Sequence, residues 1–189
     1  AVMRAIPNMT VLSPADAVET RHAVIAAYKT EGPFYIRLAR LATPVIFDES
    51  TYKFELGKGV TVREGSDVTI MATGVMVSEA LKAVDILKEE GISARLVNIH
   101  TIKPIDKDII IKAARETGAI VTCEEHNIMG GFGSAVAEVL VQNCPVPLRM
   151  VGVQDKFGKS GKPADLMKMF GLTAENIVAN VKDVLKIKK

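Results

Sequence analysis

Apolar residues fall along this chain in two rhythms. Short runs rich in β-branched residues, within Asp67–Ala72, Ala94–Ile99 and Ala119–Cys123, are almost continuously hydrophobic, the pattern of strands covered by helices on both faces. Between and after them, mixed stretches predict helices over about Val77–Glu90, Asp106–Glu116 and Gly133–Gln142. A further strand at Leu148–Val151 and a helix from about Ala174 to Leu185, with Thr173 as its N-cap, extend the series. From about Val60 onward the alternation therefore predicts a doubly wound α/β domain with a mostly parallel sheet.

The first 45 residues read as a smaller unit. Met9–Leu12 is a short strand, and Ser13-Pro14 offers an N-cap and a first-turn proline for a helix over about Pro14–Lys29. Ala17, Val18, Ala23, Val24, Ile25 and Ala27 supply its apolar surface, and Gly32-Pro33 ends it. Phe34–Leu38 is the next strand, giving a parallel β-α-β. Some 40 residues cannot bury a core of their own, so this unit either docks onto the rest of the chain or belongs to a fold completed elsewhere. The chain opens on Ala1 without an initiator Met or a signal-peptide pattern and is read as part of something longer. Leu41–Gly59, with Pro44, Gly57 and Gly59 and no periodicity, reads as a linker.

Composition narrows the function classes. Of 189 residues, 48% are hydrophobic and 24% charged, and 24 Lys+Arg against 22 Asp+Glu leave a net charge of only +2. Such a balance disfavours nucleic-acid and anionic-membrane binders. No run approaches the roughly 18 to 20 apolar residues of a membrane span. Cys123 and Cys144 have no zinc-spaced partners and form no disulfide framework, so a reducing cytoplasm is expected.

Candidate chemistry gathers at predicted strand ends. The glycines of GGFGSAV (130–136) could cradle a phosphate, but the spacing is not a dinucleotide fingerprint, and a packing role is preferred. Glu124 and Glu125 could act as an acid/base pair with His126 as a proton shuttle. Neighbours on an extended chain point opposite ways, so the favoured reading has one capping the following loop and the other solvated. His22 and His100 have no spacing partner and receive no role. Asp16 and Arg40 follow the two N-terminal strands, at the rim where open α/β sheets bind ligands, and Arg37 lies beside them. Arginine there offers a planar fork for phosphate or carboxylate; a surface ion pair is the alternative for Arg40, and helix capping is preferred for Asp16. The segment 155–173, rich in Gly and Lys, lacks the order of a phosphate loop.

NMTVLSPADAVETR, FYIRLAR, TIKPID, EEHNIMGGFGSAVAEVL and FGKSGKPADLMKMFGLTAENIV, in this order, resemble the C-terminal portion of transketolase, above all the separately encoded subunit of split transketolases. The resemblance spans essentially the whole chain. It implies residues 1–45 as the tail of a pyrimidine-binding domain, 46–59 as linker, and 60–189 as a three-layer α/β/α transketolase C-terminal domain. It also implies two-carbon ketol transfer between ketose and aldose phosphates, with thiamine diphosphate and Mg²⁺, an N-terminal partner section and a homodimer. The family's catalytic Glu and its diphosphate and Mg²⁺ motif have no counterpart here, so the chain alone is expected to be inactive and to bind no cofactor. Arg40 matches the family's sugar-phosphate contact; Arg37 and Asp16 are its rim neighbours. Deoxyxylulose-phosphate synthase and 2-oxoacid dehydrogenase beta subunits share the EE…GG.G loop. A non-catalytic assembly module and a free-standing nucleotide-binding domain are the readings of other classes.

Overall fold

The computed structural model describes residues 1–40 and 42–188, so that Leu41, which opens the expected linker, and Lys189 lie outside the described residues. A short helix α1 (Val2–Ala5) precedes strand β1 (Thr10–Leu12), helix α2 (Ala17–Lys29) and strand β2 (Phe34–Ile36). After positions 37–59, where the described residues form no helix or strand, come β3 (Val60–Arg63), β4 (Val68–Ala72), α3 (Met76–Glu89), β5 (Ala94–Asn98) and β6 (Thr101–Lys103). The chain finishes with α4 (Lys107–Thr117), β7 (Ile120–Asn127), α5 (Phe132–Asn143), β8 (Leu148–Val153), α6 (Pro163–Met169) and α7 (Ala174–Ile187).

The larger sheet has the order β3-β5-β4-β7-β8, parallel except for β3, which pairs antiparallel with β5. Alternate residues of its central strands feed two cores. Ile70, Ala72, Leu96, Val121 and Cys123 face α3 and α7, whereas Met71, Val97 and Ile120 face α4 and α5. This is why the strand sequences read as unbroken apolar runs. Helix ends follow local chemistry: Asp106 accepts the Asp108 and Ile109 amides at 3.1 and 3.2 Å, Thr173 accepts that of Asn176 at 3.4 Å, and Gly118 closes α4 at φ +63°.

The N-terminal unit docks. β1 pairs in parallel with β2, as expected, and antiparallel with β6, making a second sheet of order β2-β1-β6. Ser13 forms the seam: its N–H donates to the His100 carbonyl at 2.8 Å, and its carbonyl accepts the Gly74 N–H and the Thr73 hydroxyl, each at 3.2 Å. Gly74, at φ +57°, permits this approach, because a Cβ there would lie 2.7 Å from Ser13 Oγ.

Several local expectations are corrected. α2 begins at Ala17, not Pro14, and its N-cap is Asp16; Ser13 is engaged in the seam instead. The buried face of α2 is Glu19 and Ala23, and Val24 and Ile25 are exposed. α1, β3, β6 and α6 were not anticipated: each is seven residues or shorter, and α1 and α6 bury no side chain.

Candidate functional site

The carboxyl ends of β1, β2, β4 and β7 converge on a cavity of about 270 Å³ that α1 covers from one side, with Ser13, Arg37, Thr73, Glu124, Glu125, His126 and Gly131 among its walls. α1 is strapped down. Arg4 makes a two-pronged ion pair with Glu138 on α5, at 2.8 and 2.6 Å, and donates through Nε to the Gly130 carbonyl at 3.0 Å. Lys103 Nζ donates to the carbonyls of Arg4 and Ile6 at 3.0 and 2.6 Å.

Glu124 and Glu125 point apart and do different work. The buried Glu124 carboxylate accepts the Phe132 and Gly133 amides at 2.6 and 2.8 Å, satisfying the first turn of α5. Burial raises its pKa, and the two amide donors oppose that rise. Glu125 pairs instead with Arg37. His126 Nδ1 donates to the Asn127 carbonyl at 2.6 Å and lies 3.8 Å from Glu124 Oε2. The double glycine is required by packing: a Cβ on Gly131 would sit 2.2 Å from Glu124 Oε2, and one on Gly133 2.7 Å from Thr122 Oγ1. Gly130 adopts φ +71°.

The three residues singled out on the rim are distributed rather than gathered. Arg37 donates to the Glu125 carbonyl at 2.8 Å and to its carboxylate at 3.1 and 3.2 Å, tying the end of β2 to β7. Asp16 is buried. Its Oδ1 accepts the Glu19 amide at 2.8 Å, and its Oδ2 accepts the amides of Ile46 and Phe47 at 2.7 and 2.9 Å. Arg40 is exposed and makes no hydrogen bond or ion pair among the described residues. Beside its segment, Leu38, Ala39, Ala42 and Thr43 face Pro14, Asp16, Ala17 and Thr20 across a cleft of about 320 Å³.

Sequence reasoning missed a buried polar cluster behind this cleft. Glu19 accepts the Ala15 amide at 2.7 Å, the Asn98 side-chain amide at 2.7 Å and the Tyr52 hydroxyl, so it joins α2, the 46–59 segment and β5. Burial lifts its pKa to about 7. The signal was present in Asp16-Ala17-Val18-Glu19, an acid at the N-cap followed three residues later by Glu. His100 stacks on Phe54 with ring centroids 4.2 Å apart, and burial lowers its pKa to about 4. Thr101 Oγ1 accepts the Gly57 amide at 3.1 Å and shares a 2.9 Å hydrogen bond with His100 Nδ1.

A parallel sheet with helices on both faces, and a polar rim at the carboxyl ends of its strands, places the chain among the open-sheet α/β proteins that assemble ligand sites there. Comparison with known proteins narrows the class. The model of the transketolase C-terminal domain matches residues 57–177, and that of the transketolase pyrimidine-binding domain matches residues 1–45. The chain belongs to the transketolase family. It is 48% identical over 99% of its length to a 6-deoxy-6-sulfo-D-fructose transketolase subunit from a Clostridium species, and 45% identical over 98% to a protein of Methanocaldococcus jannaschii described as a transketolase C-terminal section. In each case it spans 58% of the relative's length. A solved structure described as a split-gene transketolase, an inactive beta4 tetramer, superposes with a TM-score of 0.97 at 48% identity, covering 100% of this chain and 61% of that one. The mostly parallel five-stranded sheet is that of the transketolase C-terminal domain.

Thiamine diphosphate and Mg²⁺, which the family implies, find no matching donor set here. Among the described residues no three His, Cys, Asp or Glu side chains converge, and the oxygens of Asp16 and Glu124 are occupied by backbone amides. No step is derived through that cofactor. No helix among the described residues is long and apolar enough to cross a membrane.

Proposed function

We propose that this chain is the C-terminal section of a two-part transketolase, acting in the cytoplasm with an N-terminal section that holds thiamine diphosphate and Mg²⁺. The complete assembly, with two copies of each section, moves a two-carbon ketol unit from a ketose phosphate to an aldose phosphate. The observation that carries this reading is collinear similarity over essentially the whole chain to relatives described as a transketolase subunit and a transketolase C-terminal section. On this reading residues 1–45 complete a pyrimidine-binding domain, residues 46–59 link it to the domain that begins at about residue 60, and Arg40 holds the sugar phosphate by a charge-assisted fork. A guanidinium with no hydrogen bond or ion pair among the described residues suits that task, since it gives up none of them to bind an anion. The chain alone performs no turnover.

The test is the identity of the transferred group. Chain and N-terminal section, supplied with cofactor, Mg²⁺, a ketose phosphate and an aldose phosphate, should yield an acceptor lengthened and a donor shortened by two carbons, as read by mass spectrometry. An assembled complex that exchanges no two-carbon unit overturns the proposal. The reading to test next would then be deoxyxylulose-phosphate synthase, to which the chain is 42% identical over 94% of its length in Heliobacterium modesticaldum.

A further inference from the structure

The segment that carries Arg40 leaves the small sheet after β2 and is held at two points, one on each side of that arginine. At its start, the Arg37 amide continues the strand ladder by donating to the Leu12 carbonyl at 2.8 Å. The Arg37 guanidinium then reaches 88 positions along the chain to the Glu125 carbonyl and carboxylate. At its end, consecutive amides of Ile46 and Phe47 both donate to one oxygen of the buried Asp16. Neither anchor is a free surface group. Asp16 has both carboxylate oxygens occupied, and Arg37 spans two strands that belong to different sheets.

We propose that Asp16 and Arg37 are positioning residues, which pin the 37–47 segment at its two ends and so present Arg40 to the acceptor phosphate. This rests on the reading of Arg40 given above and adds the elements that aim it. A loop bearing a single charged contact loses affinity when its ends are free, because ordering it must then be met at each binding event. Fastening a loop at both ends leaves less freedom to be lost when its charge binds.

The division of labour within Asp16 supplies a selective variant. Asn is as good an N-cap as Asp, so Asp16→Asn keeps one oxygen for the Glu19 amide. Its other terminus becomes an NH₂ group, which cannot accept from Ile46 or Phe47. In hydrogen exchange on the complete enzyme, the Ile46 and Phe47 amides should exchange at least tenfold faster in Asp16→Asn, while the Glu19 amide keeps its protection. In steady-state assays KM for a phosphorylated acceptor should rise at least fivefold with kcat within twofold, and KM for an unphosphorylated acceptor should stay within twofold. Arg37→Ala should give the same split, and Arg37→Lys should recover part of it.

Unchanged exchange at Ile46 and Phe47 overturns the clamp. Arg40→Ala, assayed alongside, separates the inference from the reading beneath it. If Arg40→Ala raises KM selectively for phosphorylated acceptors and Asp16→Asn does not, the positioning role is wrong and the Arg40 reading stands. If Arg40→Ala affects both acceptors alike, the Arg40 reading itself falls, and the presenting role with it.

Discussion

Asn98, at the carboxyl end of β5, donates its side-chain amide to Glu19 on α2 at 2.7 Å, a bond from the larger sheet into the N-terminal unit. Together with the Tyr52 hydroxyl and the Ala15 amide it surrounds a carboxyl group with donors in a site without solvent. The groups facing Glu19 are Asp16, whose charge disfavours its ionisation, and Tyr52, against which His22 packs edge-on.

Glu19 therefore makes folding pH-dependent in a stated direction. Burial raises its pKa from 4.5 to about 7, so the folded chain holds this proton more tightly than the unfolded one. The stabilisation is complete below pH 4.5 and is lost as pH rises through about 7. The shift corresponds to about 3 kcal/mol. His100, whose pKa burial lowers to about 4, acts in the opposite sense below pH 6.5 and does so in both proteins. In urea unfolding at intervals from pH 4.5 to 8 it is therefore the stability of the wild type relative to Glu19→Gln that should decline. Parallel curves for the two proteins would remove Glu19 as its source.

The α5 entry loop should resist any added side chain. Gly131→Ala places a methyl group 2.2 Å from Glu124 Oε2 and 2.8 Å from the Asn127 carbonyl, so the cap or the loop must move. The expected loss is about 3 kcal/mol, at the upper end for overpacking. Gly158→Ala, where a Cβ meets nothing within 4 Å, should change stability by less than about 0.5 kcal/mol. Denaturant midpoints measure both, and equal effects would contradict the packing account of the double glycine.

Removal of Glu124 tests the same loop from the other side. Glu124→Ala leaves the Phe132 and Gly133 amides without their acceptor inside a buried helix start. A cost of about 2 kcal/mol is expected, the scale of losing a cap and stranding buried donors. Exchange protection should fall at Phe132 and Gly133 before it falls elsewhere in α5.

Arg40→Ala, in the complete enzyme, should raise KM for phosphorylated acceptors by a factor of about ten to a hundred, the equivalent of a lost hydrogen bond between charged groups. Unphosphorylated acceptors should be affected far less. An equal effect on both would remove the phosphate role.

The sequence disclosed the architecture where burial is two-sided. The central strands are apolar on both faces, so their runs announce themselves, and Thr173 and Asp106 mark helix starts by local chemistry alone. Legibility failed where partners are distant. Ser13 looked like the cap of α2, yet its backbone is engaged by His100 and Gly74, leaving the cap to Asp16. β6 is three residues long and exists because β1 lies beside it, a pairing across about 90 positions that no local pattern encodes. At the site, the carboxyl ends of the strands were identifiable, and Glu124 and Glu125 were assigned opposite directions. The Arg37–Glu125 tie and the amides gathered by Asp16 depend on tertiary contacts, and Glu19 was passed over although its spacing from Asp16 is that of a capping pair.

The central claim is that this chain supplies one part of a ketol-transferring site whose reactive part lies in an N-terminal section. Its most direct test is a titration: purified chain, cofactor, Mg²⁺, ketose phosphate and aldose phosphate, assayed alone and with increasing N-terminal section. No turnover without the section, and activity that saturates at one section per chain, is the predicted result. Two-carbon transfer by this chain alone would contradict it.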